Sequence, residues 1–394
     1  MKLISVVGAR PQFVKLGPIS RAASCHNADA SCSEGVEHVV VHTGQHYDVQ
    51  MSKAFFDQMS LPAPYVNLEV GSGPHGEQTG RMLERLERVF LDEQPDAVIV
   101  YGDTNSTVAA ALAAAKLMIP VAHVEAGLRS HRKAMPEEVN RVLTDHVSSF
   151  LLCPTTSSAD NLRSEGLGEP RFEGDLAPLG LLDCPWIPAI DHPWLVNVGD
   201  VMKDALLHEV RNAQANSSIL TDLGLGDRDF AVATVHRAEN TDEPARLRSI
   251  LDALGRIAAE DLPVVFPVHP RTRRALQRAS LRIPGSMVCM DAVPYWDMLQ
   301  LLSRAVLALT DSGGLQKEAF MLGVPCVTLR DETEWVELAG MGWNVVAGTS
   351  AERIVRSCRT LLTNRPSRPS SQPYGDGQAA VRIIQTLMSW RRNV

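Results

Sequence analysis

Short runs rich in Val and Ile alternate with stretches of helical periodicity along most of this chain. The runs fall at 2–7, 37–42, 97–101, 120–124 and 149–153, and again at 230–235, 263–268, 286–290, 305–310, 324–329 and 343–346. They are continuously apolar rather than alternating, the pattern of parallel strands buried on both faces. Between them, apolar residues recur at the helical period. Met82, Leu83, Leu86, Val89 and Phe90 share one face of a helix expected near 76–93. Val139, Val142, Leu143, His146 and Val147 share one face of a helix expected near 137–149. The segment 106–118 is nearly all Ala, which lets a helix lie close to a sheet. Such alternation specifies an α/β fold. At 394 residues the chain is too long for one ordinary core, so two Rossmann-like, doubly wound halves are expected.

Proline marks the boundary. Residues 170–193 hold Pro170, Pro178, Pro185, Pro188 and Pro193 and little helical pattern. A first domain is therefore expected over 1–169, a linker or surface insertion over 170–193, and a second domain over 194–372. The stretch 364–375 reads as a second linker, followed by a last helix within 376–394. Apolar residues make up 45% and charged residues 21%, as in globular proteins. A net charge of -8 argues against a nucleic-acid surface, which needs a basic stripe. No apolar run reaches the roughly 18 residues of a membrane span. The apolar start Met1–Gly8 is short and is followed by Arg10 and Lys15, so it reads as a buried first strand rather than a leader. The seven cysteines form no Cys-x-x-Cys pair, so neither a zinc site nor a disulfide framework follows. Reduced thiols in a cytoplasmic protein are expected.

Charged groups cluster just after the expected strands, where a doubly wound sheet binds its ligand. Gly8-Ala9-Arg10-Pro11 ends the first strand. Pro11 suits a first helical position, Gly8 lets backbone approach a ligand, and Arg10 with Lys15 suits phosphate. The plain alternative is a tight turn with solvated cations. This is not Gly-x-Gly-x-x-Gly, so no nicotinamide cofactor follows. Asp103 follows 97–101 and Gly102; a helix N-cap cluster is the simple alternative. Glu125 directly follows 120–124, where a carboxylate loses hydration unless it has a partner or a use. Glu137 and Glu138 follow Pro136 in a first helical turn, where acids also serve the helix dipole. Acids at the ends of successive strand–helix units favour one shared site.

In the second half, His236 and Arg237 follow 230–235, and His269 follows 263–268 beside Arg271. Either histidine could be a satisfied core residue; a strand end beside an Arg favours a phosphate or leaving-group role. Ser312, Gly313 and Gly314 open a helix whose N–H groups form an anion site. Glu318 lies where a carboxylate could hold a ribose diol.

The motifs occur together and in order: Gly8-Ala9-Arg10-Pro11, Gly102-Asp103-Thr104, His123-Val124-Glu125-Ala126-Gly127-Leu128-Arg129, Pro136-Glu137-Glu138-x-Asn140-Arg141, His236-Arg237-Ala238-Glu239-Asn240, Pro267-x-His269-Pro270, Thr310-Asp311-Ser312-Gly313-Gly314-x-Gln316-x-Glu318 and Tyr374-Gly375-Asp376-Gly377. The set resembles the UDP-N-acetylglucosamine 2-epimerase family over nearly the whole chain, apart from about 170–193 and 364–372. The resemblance implies a GT-B architecture with the nucleotide sugar in the cleft between two Rossmann-like domains. It also implies a C-terminal helix returning to the first domain, a homodimer, and no metal or nicotinamide requirement. The implied reaction inverts C2 of the sugar: UDP leaves across C1–C2, giving a 2-acetamidoglucal, and adds back after reprotonation on the other face. By the family's pattern Asp103, Glu125 and Glu137 handle protons and ring charge. His236 and Arg10 assist the phosphates, Ser312, Gly313 and Gly314 bind phosphate, Glu318 the ribose, and Lys15 the substrate. Which carboxylate is the C2 base stays open.

Many family members carry Glu-Arg-Pro-Glu where this chain has Glu334-Trp335-Val336-Glu337. Trp335, Gly44-Gln45-His46-Tyr47-Asp48 and Arg330-Asp331-Glu332-Thr333 resemble instead the branch acting on UDP-2,3-diacetamido-2,3-dideoxyglucuronate. Such a uronate needs a cation, for which Arg129, Arg132, Lys133 and Arg330 are candidates. The competing readings are a hydrolysing epimerase that releases free sugar and UDP, a GT-B glycosyltransferase, and a silent nucleotide-sugar-binding protein.

Overall fold

The computed structural model describes residues 1–29, 34–45, 61–170, 176–179, 188–226, 228–333, 335–367 and 373–391. His46, Tyr47, Asp48, Glu334, much of 170–193 and 368–372 lie outside the described residues. The chain divides into two compact units, Met1–Ala205 with Gln372–Val394, and Leu206–Ser371.

In the first unit the strands are β1 (Lys2–Val7), β2 (Glu37–His42), β3 (Val66–Asn67), β4 (Ala97–Tyr101), β5 (Val121–Val124), β6 (Phe150–Cys153), β7 (Glu169–Pro170) and β8 (Trp194–Asn197). They form one sheet in the order β3-β2-β1-β4-β5-β6-β8-β7, and every pairing is parallel. Alternate strand residues serve opposite faces. Leu3, Ala97 and Ile99 pack with Phe13, Leu16 and Ile19 of the helix Arg10–Ala28 and with Ile383, Ile384 and Leu387 of the helix Ala379–Arg391. Ile4, Val98 and Val100 pack with Met82, Leu86 and Phe90 and with the alanines of the helix Asn105–Lys116. Each fully buried Leu, Ile or Phe contributes about 1.5–3 kcal/mol. The C-terminal helix is fixed by polar contacts as well. Asp204 accepts the N–H groups of Ala379 and Ala380, and buried Arg382 donates to both oxygens of Asp376 and to the Ala177 carbonyl.

The second unit has β9 (Ala231–Thr234), β10 (Val264–Val268), β11 (Val288–Asp291), β12 (Leu307–Thr310), β13 (Cys326–Thr328) and β14 (Asn344–Val346), in the parallel order β11-β10-β9-β12-β13-β14. One face packs under the helices Pro244–Glu260 and Ala351–Thr363, the other under Tyr295–Arg304 and Gly313–Met321. The strand order reverses between β1 and β4 in the first sheet, which also carries β7 outside β8, and between β9 and β12 in the second. Such a reversal leaves a crevice at the carboxyl ends of the strands.

Two expectations from the sequence are corrected. The second unit does not begin at 194: Trp194–Asn197 is β8, paired with β6 in the register Phe150↔Trp194, and the division falls within the helix Val201–Asn216. The helix Pro136–His146 buries only part of its apolar stripe. Val142 and Val147 are half-buried, but Val139 and Leu143 are 45% and 46% exposed, while Glu138, Thr144 and Asp145 face inward. That inward face is polar because its carboxylates are bonded, as described below.

Among the described residues no helix is long and apolar enough to cross a membrane. Among them, too, no group of His, Cys, Asp and Glu is placed to hold a metal ion.

Candidate active site

In the first unit the β1 and β4 turns are tied together by Gln12. Its side-chain oxygen accepts the N–H groups of Gly8 (2.8 Å) and Ala9 (3.1 Å), and its amide donates to the Tyr101 carbonyl (3.0 Å) and Thr107 (3.0 Å). A glutamine three residues after the first helix-capping position is well placed for such a role. Gly8 is required by packing here: a β-carbon on it would lie 2.1 Å from Thr43 Oγ1 and 2.2 Å from Ser106 Oγ. Arg10 is exposed at the start of its helix.

Lys15 and Glu125 form a hydrogen-bonded ion pair. Glu125 adopts φ 72°, a left-handed conformation that costs a non-glycine residue on the order of 1–3 kcal/mol and persists only where surroundings enforce it. Gly102, at φ 64°, lies against this pair: a β-carbon there would be 3.3 Å from both Lys15 Nζ and Glu125 Oε2. Asp103 follows and is ion-paired with Arg141, whose guanidinium also donates to Glu138 (2.5 Å). Asn140 donates to the Asp103 carbonyl (3.0 Å). Glu138 accepts the N–H (2.9 Å) and hydroxyl (2.9 Å) of Ser130 and the N–H of His131 (3.0 Å). Burial alone would raise its pKa, but these donors and Arg141 outweigh it and bring it down to about 2. Glu137 is exposed in the same turn.

In the second unit buried Asp311 plays the tying role. It accepts the N–H groups of His236 (3.0 Å) and Arg237 (2.9 Å), the His236 ring at Nδ1 (3.2 Å), and the Asn240 amide (3.0 Å). Burial opposes its charge, yet these donors hold its carboxyl below the usual range. With Nδ1–H of His236 directed at Asp311, Nε2 is the nitrogen left for a ligand. The His269 ring stacks obliquely on His236, centroids 5.3 Å apart, and its Nδ1 accepts the Arg271 N–H. Burial and the neighbouring His236 lower the His269 pKa.

Ser312 caps the helix Gly313–Met321 through a bond from the Leu315 N–H (3.4 Å). Buried Gly313 and exposed Gly314 form its first turn, where unpaired N–H groups favour an anion. Glu318 is half-buried and accepts the Tyr295 hydroxyl (3.3 Å). Burial lifts its pKa to about 7, opposed by that hydroxyl. Trp335 is strapped to the same helix, its indole N–H donating to the Gly313 carbonyl (2.8 Å) and its ring under the Lys317 ammonium (4.8 Å).

The structure thus joins Lys15 with Glu125 and Asp103 with Arg141 in one unit, and His236 with Asp311 and His269 in the other. Among the described residues Glu137 is joined to none of these. Arg141, Asp311 and Asn240 stand inside the recognised motifs and Gln12 just after the first, but the sequence assigns them no role, because Asp103, His236, Asp311 and Tyr101, which they respectively tie down, lie far off in the chain. Among the cation candidates, Arg129 is spent: it is buried and donates to Asp145 and to both oxygens of Glu165. Arg330 pairs with Glu239 at 3.0 Å, while Arg132 and Lys133 are exposed.

Residues 29–388 match the family model described as UDP-N-acetylglucosamine 2-epimerase. A UDP-2,3-diacetamido-2,3-dideoxy-D-glucuronate 2-epimerase from Pseudomonas aeruginosa is 47% identical over 388 residues, covering 98% of this chain and 99% of that protein. A UDP-N-acetylglucosamine 2-epimerase from Methanocaldococcus jannaschii is 39% identical over 394 residues, covering 98% and 99%. A solved structure of UDP-GlcNAc 2-epimerase from that archaeon matches with a TM-score of 0.81 at 38% identity, covering 98% of this chain and 99% of that one. Another, in complex with UDP-GlcNAc and UDP, matches with a TM-score of 0.71 and the same coverage. The crevice-end acids, the capped anion helix and these likenesses agree, and the chain belongs to the UDP-N-acetylglucosamine 2-epimerase family.

Proposed function

We propose that the chain is a non-hydrolysing UDP-sugar 2-epimerase that inverts C2 of a UDP-N-acetylhexosamine. A carboxylate of the first unit takes the C2 proton as UDP leaves C1, giving the 2-acetamidoglucal. A proton then returns to the opposite face of C2 and UDP re-adds at C1. Asp103, Glu125 and Glu137 supply the acid and base groups, with Asp103 ion-paired to Arg141 and Glu125 to Lys15. His236, Arg10, Arg237 and His269 serve the diphosphate together with Ser312, Gly313 and Gly314, and Glu318 holds the ribose. The observation that carries this reading is Glu125, a carboxylate held in left-handed backbone at a strand end and paired with Lys15.

The substrate we favour is UDP-2,3-diacetamido-2,3-dideoxyglucuronate over UDP-N-acetylglucosamine. The named Pseudomonas relative and Trp335 in place of an arginine support it. A cytoplasmic homodimer completes the proposal, and the exposed stripe of Met135, Val139 and Leu143 supports self-association. Incubation with each UDP-sugar in deuterated water, followed by NMR, tests the function. Deuterium at C2 with both epimers present is expected. Retention of the original proton would end the elimination route, and accumulation of free sugar would convert the reading to the hydrolysing enzyme.

A further inference from the structure

Behind the Lys15–Glu125 pair lies a chain of buried polar groups that the proposed reaction does not use. His123, on β5 two residues before Glu125, has no exposed side-chain surface. Its Nε2 lies 2.7 Å from the Gly102 carbonyl oxygen, and its Nδ1 lies 2.7 Å from Asp145 Oδ1. A carbonyl oxygen accepts and cannot donate, so Nε2 carries a hydrogen. Asp145 is equally buried, and its other oxygen accepts the Arg129 guanidinium (2.7 Å) and the Gly127 N–H (3.2 Å). Arg129 in turn is held by Glu165. Asp145, held on its far side by Arg129 and Gly127, anchors the other ring nitrogen.

We infer that His123 positions the catalytic turn. One ring nitrogen pairs with Asp145 and the other donates to the backbone of Gly102. Gly102 sits at φ 64°, faces both members of the Lys15–Glu125 pair, and leads directly to Asp103. One side chain thus holds both acids' backbone: Glu125 through its own strand, Asp103 through Gly102. His123 is a positioning residue, since it touches the turn and not the substrate. The assignment of its consequence to catalysis rests on the function proposed above.

Histidine-selective nitrogen NMR on the intact wild-type chain tests the contact independently of any activity. One histidine is expected to show an Nε2–H signal shielded from exchange, and the signal vanishes in His123→Gln. A bare Nε2 on His123 would overturn the inference. The positioning role is read from two variants, His123→Gln and Asp145→Asn. Each is expected to lower kcat and C2 hydrogen–deuterium exchange at least tenfold, while UDP affinity, set by groups that His123 and Asp145 do not touch, changes less than twofold. Folded variants that turn over within twofold of wild type would also overturn it. If neither variant folds, the wild-type spectrum alone decides. Absence of the Nε2–H signal leaves the epimerase reading standing, and an inactive wild type with that signal intact does the reverse.

Discussion

Lys15 and Glu125 stand 110 residues apart in the chain and meet as a buried ion pair, each side chain only 10% exposed. Breaking one partner of such a pair strands the other charge at a cost of about 3–5 kcal/mol, whereas replacing both with neutral groups is often tolerated. Lys15→Met is therefore expected to lower Tm sharply. The double variant Lys15→Met with Glu125→Gln is expected to recover most of that stability and none of the turnover. Thermal unfolding beside an epimerisation assay checks this; recovery of turnover in the double variant would make the pair purely structural.

Asp103 and Glu137 separate catalysis from folding in a different way. Asp103→Asn weakens the hold on Arg141, which keeps Glu138 as a partner. Glu137 is exposed, so Glu137→Gln costs the fold little. Both variants, and Glu125→Gln, are expected to lose turnover by a hundredfold or more, roughly 3 kcal/mol of barrier. Circular dichroism is expected to stay native for the Asp103 and Glu137 variants. Near-normal rates in two of the three would move the reaction away from these acids.

Much of this arrangement was readable before any coordinates. Continuous apolar runs ended by charged residues located the strands and their carboxyl ends, and with them Asp103, Glu125, His236 and Asp311. What escaped was whatever depends on a distant partner. Trp194–Asn197 is only four residues long and follows a proline-rich stretch, so its strand becomes evident only beside β6. The stripe of Val139 and Leu143 has sound helical periodicity, but periodicity names two faces and cannot say which is covered. Here the Ser130, His131, Arg129 and Arg141 donors make the polar face the buried one. Gly8 shows the same limit, since its need for glycine comes from Thr43 and Ser106. Gly8→Ala is accordingly expected to destabilise the chain by about 1–3 kcal/mol. Urea denaturation is the check, and an unchanged midpoint would count against the packing account.

Acid unfolding isolates Glu138. Its folded pKa of about 2 lies below the ordinary 4.5, so the folded state prefers the ionised form. The stability it contributes is complete above pH 4.5 and is lost as pH falls from there towards 2. Glu138→Gln is expected to be less stable at pH 7 and to have a flatter stability profile between those limits. Parallel profiles for the two proteins would show that Ser130, His131 and Arg141 do not hold the charge.

Glu318 carries the opposite shift, and with it a prediction about ligand binding. Burial lifts its pKa to about 7, so in the free protein it holds a proton for much of the time at neutrality. Ribose hydroxyls donate to a carboxylate and favour its ionised form, so binding of UDP is expected to expel that proton. Affinity for UDP then rises with pH across 6 to 8, by up to about tenfold per unit on the acid side. The β-phosphate of UDP titrates in the same range, so the comparison that matters is with Glu318→Gln, which keeps the phosphate and lacks the carboxyl. Calorimetry of UDP binding in two buffers of different ionisation enthalpy measures the proton directly. Wild type is expected to release more protons than Glu318→Gln at pH 6.5 and to bind UDP more tightly at pH 8. Identical proton release and identical pH dependence in the two proteins would take the ribose away from Glu318.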